Sequence, residues 1–186
     1  MSSQSSTIYT KQFDSTDNDR PVSQILVYAS GNISTAQDLP DIWHWQLHLL
    51  PSADPRAQDS DNPPTRTIVL DMIPAVSPTG TLCILSKAPT ELPLHLPTSA
   101  SLAFAPLTAI TVRHIVDLFL SKGMDRYTYN ERYTGCVFWV RTAVERLQDA
   151  GWVEGGAAEK FDAFYKEQAA LRPGNFEEPF GRGEFY

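Results

Sequence analysis

One short stretch constrains the fold more than any other. Residues 42–50 read Ile-Trp-His-Trp-Gln-Leu-His-Leu-Leu. Side chains on a β-strand point to alternate faces, so Trp43, Trp45, Leu47 and Leu49 share one face while His44, Gln46 and His48 share the other. A strand patterned this way must lay its tryptophans and leucines on a core. Its opposite side then presents two imidazoles and an amide. A chain holding this stretch is committed to a sheet whose two faces do different work.

The surrounding pattern supplies the rest of that sheet. Residues 25–28, 67–72, 81–86 and 101–104 read as further short strands, separated by turn-forming and proline-rich connections such as 51–64 and 88–97. The first hundred residues therefore read as an antiparallel meander of four to five strands. Periodicity then changes to helical. Val112, Ile115, Val116, Phe119 and Leu120 mark a helix over 111–122 that Gly123 stops. Phe138, Val140, Val144 and Leu147 mark a second helix over 135–150, with Thr134 as the expected N-cap and Gly151 as its stop. A third helix covers 157–171 and ends before Pro173-Gly174. The expected fold class is α+β, an antiparallel sheet packed with about three C-terminal helices. It forms one domain over residues 21–174, preceded by a flexible polar arm over 1–20. An aromatic, glycine-rich tail follows over 175–186, placed to drape over the core or over a pocket.

Charge and composition exclude several functions. The formal net charge is -7, and the 15 basic residues are scattered rather than clustered, so neither nucleic acid nor an anionic membrane is an expected partner. No apolar run approaches the roughly 20 residues of a membrane span. The first residues lack the basic and apolar regions of a secretion signal. Two cysteines, Cys83 and Cys136, make no disulfide framework, which fits a reduced, cytoplasmic protein. A single Cys83–Cys136 bridge stays open on sequence grounds, as does the oligomeric state.

Cys136 carries the chemical interest. It lies in Tyr133-Thr134-Gly135-Cys136-Val137-Phe138-Trp139, at the start of the second helix. Backbone N–H groups and the helix dipole there favour thiolate over thiol. A nucleophilic thiolate needs a base or cationic partner, and that imidazole needs an acceptor to fix its tautomer. His44 mid-strand and Asp71, closing the apolar run Ile68-Val69-Leu70, supply these types. The catalytic set expected is Cys136 as nucleophile, His44 as base and acid, and Asp71 as orienting group. Each also has a structural reading, as a small buried hydrophobe, a hydrogen-bonded core histidine and a turn cap.

Other residues frame this set. His48 and Gln46 share the His44 face, and Asn130, Arg132 and Trp139 flank the cysteine, so these five are candidates for substrate binding. Arg126 and Arg132 suit a substrate carboxylate or neighbouring acids, and Tyr127, Tyr129 and Trp152 suit a pocket wall or the core. His44 and His48 with Asp71 or Cys136 also make a conceivable zinc set, but no metal-ligand spacing motif accompanies them, and no metal is expected. His95 and His114 have no evident partners. No glycine-rich phosphate loop or Gly-x-Ser-x-Gly elbow is present, so no cofactor is expected, and the expected partner is a small-molecule substrate.

The order of these parts resembles the circularly permuted papain-like proteins, which include the lecithin:retinol acyltransferase-like group. Those carry a His-Trp in an early strand, a polar residue one strand later and a cysteine opening a late helix. Here His44-Trp45, Asp71 and Cys136 hold those positions, within residues 42–150. The helix start reads Gly-Cys-Val-Phe-Trp and departs from that group's Asn-Cys-Glu-His-Phe. The chain also resembles an uncharacterised fungal family of small soluble proteins, through His44-Trp45, Val69-Leu70-Asp71-Met72, Gly123-Met124-Asp125-Arg126-Tyr127 with Asn130, and Gly135-Cys136-Val137-Phe138-Trp139. The first resemblance implies a thiol-dependent hydrolase or acyltransferase acting on a small amide, ester or thioester. The second keeps open a biosynthetic cyclase or isomerase using His44 and Asp71 as an acid–base pair. A non-catalytic binding module is the third reading.

Overall fold

The computed structural model describes residues 8–31, 43–52, 66–74, 78–88, 99–132 and 134–186. The fold is α+β. Six strands make one mixed sheet: β1 (Ile8–Tyr9), β2 (Val22–Ser30), β3 (His44–Pro51), β4 (Thr67–Pro74), β5 (Gly80–Lys87) and β6 (Ser99–Phe104). Their spatial order is β1-β5-β4-β3-β2-β6. The middle four form the expected meander. The last strand departs from it: β6 returns to pair with β2, so it closes the opposite edge from β5. β1 lies parallel to β5 and covers the other edge. Three helices follow, α1 (Val112–Ser121), α2 (Cys136–Asp149) and α3 (Ala157–Leu171). A separate two-stranded sheet joins β7 (Tyr127–Thr128) to β8 (Glu184–Phe185).

Period-two alternation builds the core. Ile25, Val27 and Ala29 of β2, Trp45, Leu47 and Leu49 of β3, Ile68, Leu70 and Met72 of β4, and Leu82 and Ile84 of β5 all belong to one buried cluster with the helices. Helix α2 contributes Val137, Trp139, Val140, Ala143, Val144 and Leu147 to it. Trp45 is the hub, ringed by Phe161 (5.5 Å), Tyr165 (5.5 Å) and Phe176 (5.8 Å). Burial of such aromatics dominates the favourable side of folding. The alternate residues of the same strands, among them Tyr28, His48, Val69, Asp71 and Cys83, face away from the helices and are buried as well.

Helix ends follow local chemistry. Thr111 and His114 form a reciprocal capping box at the start of α1: the His114 N–H donates to Thr111 Oγ1 and the Thr111 N–H donates to His114 Nδ1. His114 thus has a partner that the sequence pattern did not reveal. Gly123 ends α1 with φ +69, and the N–H groups of Gly123 and Met124 return to the carbonyls of Leu120 and Phe119. That is the paired closure favoured where a left-handed residue follows a helix.

The arm expected over residues 1–20 is not free along its described part. From Ile8 onward it is fastened to the β5 edge. Asp17 is fully buried; its Oδ1 meets Arg20 at 3.0 Å, and its Oδ2 meets Arg66 at 3.2 Å and accepts from the Ser86 hydroxyl at 2.7 Å. Asp14 joins through Arg66 at 2.6 Å, and its backbone N–H donates to Ser86 Oγ. Serines and aspartates that read as solvated in sequence are here satisfying a sheet edge. At the other end Phe176 enters the core, and β8 pairs with β7. The tail therefore lies on the domain, as one of its two expected readings had it.

Candidate active site

The polar face of β3 begins at its first residue. His44 opens the strand, so its ring sits at the end of the sheet. There it meets both the polar face and the start of α2. His44 Nε2 donates to Asp71 Oδ1 at 2.7 Å, with 21% and 11% of the two side chains exposed. Gln46 Nε2 donates to Asp71 Oδ2 at 2.6 Å. Both carboxylate oxygens are thus held by side chains of a single strand. One step further, His48 Nε2 donates to Gln46 Oε1 at 3.1 Å. The β3–β4 register, which sets His48 against Val69, carries on to bring Gln46 beside Asp71.

Cys136 is the first residue of α2 and is partly exposed. Its side chain lies near enough to His44 to act on the charge of the ring. Because Nε2 is committed to Asp71, Nδ1 is the ring nitrogen left for the sulfur. Burial disfavours a charged His44 ring, but the Asp71 carboxylate and then the Cys136 sulfur outweigh it, and the ring's pKa lies well above 6.5. The second cysteine sits on the sheet, away from this ring. Cys83 lies across from Asp71 in the β4–β5 register and is 6% exposed. Burial, together with that carboxylate, pushes its thiol up to about 11. Both thiols are free.

The turn that presents Cys136 differs from expectation. Thr134 does not cap the helix. Its backbone N–H donates to Asn130 Oδ1 at 3.0 Å, and its hydroxyl accepts from Asn130 Nδ2 at 2.8 Å. The N-cap is Gly135, with φ +147 and no side-chain cap, so the first turn of α2 has no side chain competing for its N–H groups. A Cβ at Gly135 would stand 2.7 Å from the Tyr127 hydroxyl. That hydroxyl donates to the Gly135 carbonyl at 2.8 Å and accepts from the Gly183 N–H at 3.0 Å. Tyr127 and Gly183 therefore seat the residue before the sulfur, a role with no local sequence signal because the two are 56 residues apart.

The other candidates divide. Gln46 and His48 join His44 and Asp71, but in a chain behind the carboxylate. His48 is fully buried and stacks on Tyr28 at 4.9 Å; burial lowers its ring to about 4 against the pull of Asp71. Asn130 and Arg132 flank the turn. Arg132 is 83% exposed and lies 4.0 Å from Glu177, across a cleft of about 610 Å³ that runs from Asn130 to Gly181 of the tail. A second cleft of about 410 Å³ lies beside Phe138, with Tyr165, Phe180 and Arg182. Trp139 is not at the surface: it is fully buried, its indole N–H donates to the Met124 carbonyl at 2.8 Å, and it meets Phe119 edge-on. Tyr127 and Tyr129 are likewise buried, the latter bonded to the Met72 carbonyl. His95 lies outside the described residues. Among the described residues no three His, Cys, Asp or Glu side chains are grouped to hold a metal ion, and no helix is long and apolar enough to cross a membrane.

Comparison with known proteins now adds one result. A family model described as a domain of unknown function, DUF7770, matches residues 25–186. The chain belongs to this family. The matched span contains His44, Asp71, Cys136 and the Tyr127–Gly183 brace, so the whole candidate site lies within the DUF7770 domain. Asp17 and Arg20 lie outside it, while their partners Arg66 and Ser86 lie within. No curated protein and no solved structure matches the chain.

Proposed function

We propose that this DUF7770 protein is a thiol-dependent hydrolase or acyltransferase acting on a small amide, ester or thioester. One observation carries the reading: the His44 ring is hydrogen-bonded to Asp71 at 2.7 Å while the Cys136 side chain, at a helix start, lies near enough to act on its charge. In the proposed cycle the Cys136 thiolate attacks the carbonyl carbon, and the oxyanion forms beside the uncapped N–H groups of the first turn of α2. His44 Nδ1 passes its proton to the departing amine, alcohol or thiol. Water or an acceptor amine then loses a proton to His44 as it attacks the thioester, which releases product and restores the thiolate. Asp71 keeps the ring turned toward the sulfur throughout. Two unbridged cysteines suit a cytoplasmic setting. The order of parts is that of circularly permuted papain-like proteins, and a sheet preceding the cysteine helix fits that likeness.

The test is covalent trapping. Small activated esters and thioesters should leave an acyl group on Cys136, seen by intact mass and peptide mapping, and Cys136→Ala should abolish it while the circular dichroism spectrum is unchanged. If turnover survives Cys136→Ala, the thiol reading is lost. A cyclase or isomerase using the His44–Asp71 pair, in a fungal biosynthetic setting, would take its place.

A further inference from the structure

We propose that Gln46 and His48 are positioning residues for the thiol site, a relay that locks Asp71 from behind, and not substrate contacts. The inference rests on the Cys136–His44–Asp71 reading. Each partner dictates the next. A carboxylate only accepts, so Gln46 must turn its amide nitrogen toward Asp71 Oδ2, 2.6 Å away. Its carbonyl oxygen then faces His48 Nε2 at 3.1 Å, which must carry the ring hydrogen. His48 is therefore held neutral in one tautomer, clamped flat against Tyr28 and without solvent contact. The result is one directed chain, from His48 through Gln46 to Asp71, with His44 and Cys136 beyond it.

A purely structural reading of this chain is expensive. Among the described residues His48 Nδ1 is buried with no hydrogen-bond partner, and a buried polar network that leaves an atom unpaired is a worse core than hydrocarbon of the same volume. Its neighbours on that face, Val69 and the protonated Cys83, show that apolar filling is possible there. What the chain achieves is a carboxylate that cannot rotate. With Oδ2 tied, Oδ1 stays aimed at His44, and Nδ1 of that ring stays aimed at the sulfur.

The experiment follows the rate of Cys136 alkylation by iodoacetamide across pH 5–9, on the full chain, by intact mass. The titratable groups facing Asp71 are His44 and His48 from β3, Cys83 from β5 and Tyr129, with Cys136 beyond His44. Cys83 serves as a folding gauge, because it labels only if the sheet opens. Gln46→Leu should slow Cys136 ~10-fold at every pH while Cys83 stays protected. Gln46→Glu is the sharper variant. A protonated carboxyl reproduces the amide, donating to Asp71 and accepting from His48, whereas an ionised one repels Asp71. Its rate should match the parent at the acid end and fall ~10-fold as the shared proton is lost, an inflection absent from the parent protein. One preparation read at both ends of the range is its own folding control. The relay is overturned if Gln46→Glu follows the parent profile throughout. If the parent Cys136 reacts no faster than Cys83, the triad falls first and the relay with it.

Discussion

The phenol of Tyr127 donates to the carbonyl of Gly135, the residue immediately before Cys136, at 2.8 Å. The turn that presents Cys136 is thus seated by a buried side chain. Tyr127→Phe removes that bond and strips the Gly183 N–H of its acceptor. A buried donor left unpaired costs about 1–3 kcal/mol. We expect a urea midpoint lowered to match, and slower alkylation of Cys136 with Cys83 still protected.

Gly135→Ala tests the same seat from the backbone. At φ +147 a side chain is strained, and its Cβ would press on the Tyr127 hydroxyl at 2.7 Å. Strain of this kind costs on the order of 1–3 kcal/mol. Thermal unfolding should report the loss, and acyl trapping should fall more than the change in folded fraction accounts for.

The two histidines of β3 should give stability a maximum in pH. His48 is held neutral, with its pKa lowered from 6.5 to about 4. The unfolded chain takes up that proton first, so stability present above pH 6.5 is lost as pH falls toward about 4, by roughly 3 kcal/mol. The His44 pKa is raised instead. Its contribution is complete below 6.5 and drains away as pH rises through the higher folded value. Urea unfolding across pH 4–9 should show both limbs. His48→Phe should flatten the acid limb and Asp71→Asn the alkaline one. A parent curve flat on the acid side would contradict the assignment for His48.

At the far edge of the sheet, Asp17→Ala takes the shared carboxylate from Arg20, Arg66 and the Ser86 hydroxyl, while Arg66 keeps Asp14. Because both arginines are partly solvated and keep other partners, the loss is on the order of 1–3 kcal/mol. Limited proteolysis should then cut within residues 8–20 faster than in the parent protein. Alkylation of Cys136 should be unaffected, because neither Asp17 nor its partners touch His44, Asp71 or Cys136.

How far these features can be read in advance depends on the range of the interaction. The faces of β3 are legible because alternation is a property of adjacent residues, and the same holds for the helical runs and for Gly123. The meeting of His44 with Asp71 follows once two neighbouring strands are accepted. The clip at Asp17 is different: its partners Arg66 and Ser86 lie 49 and 69 residues away, and nothing in a serine- and aspartate-rich segment announces them. Thr134 is the natural cap by residue type, yet Asn130 claims its side chain and leaves a glycine at the helix boundary. Trp139, three residues past the sulfur, reads as a pocket wall, but the 3.6-residue period turns it inward onto Phe119.

The union of β8 with β7 reaches further than two short strands suggest. When that pairing opens, Gly183 leaves with it, and with Gly183 goes one hold on the phenol beneath the cysteine's turn. Whatever loosens β8 therefore loosens the footing of the sulfur.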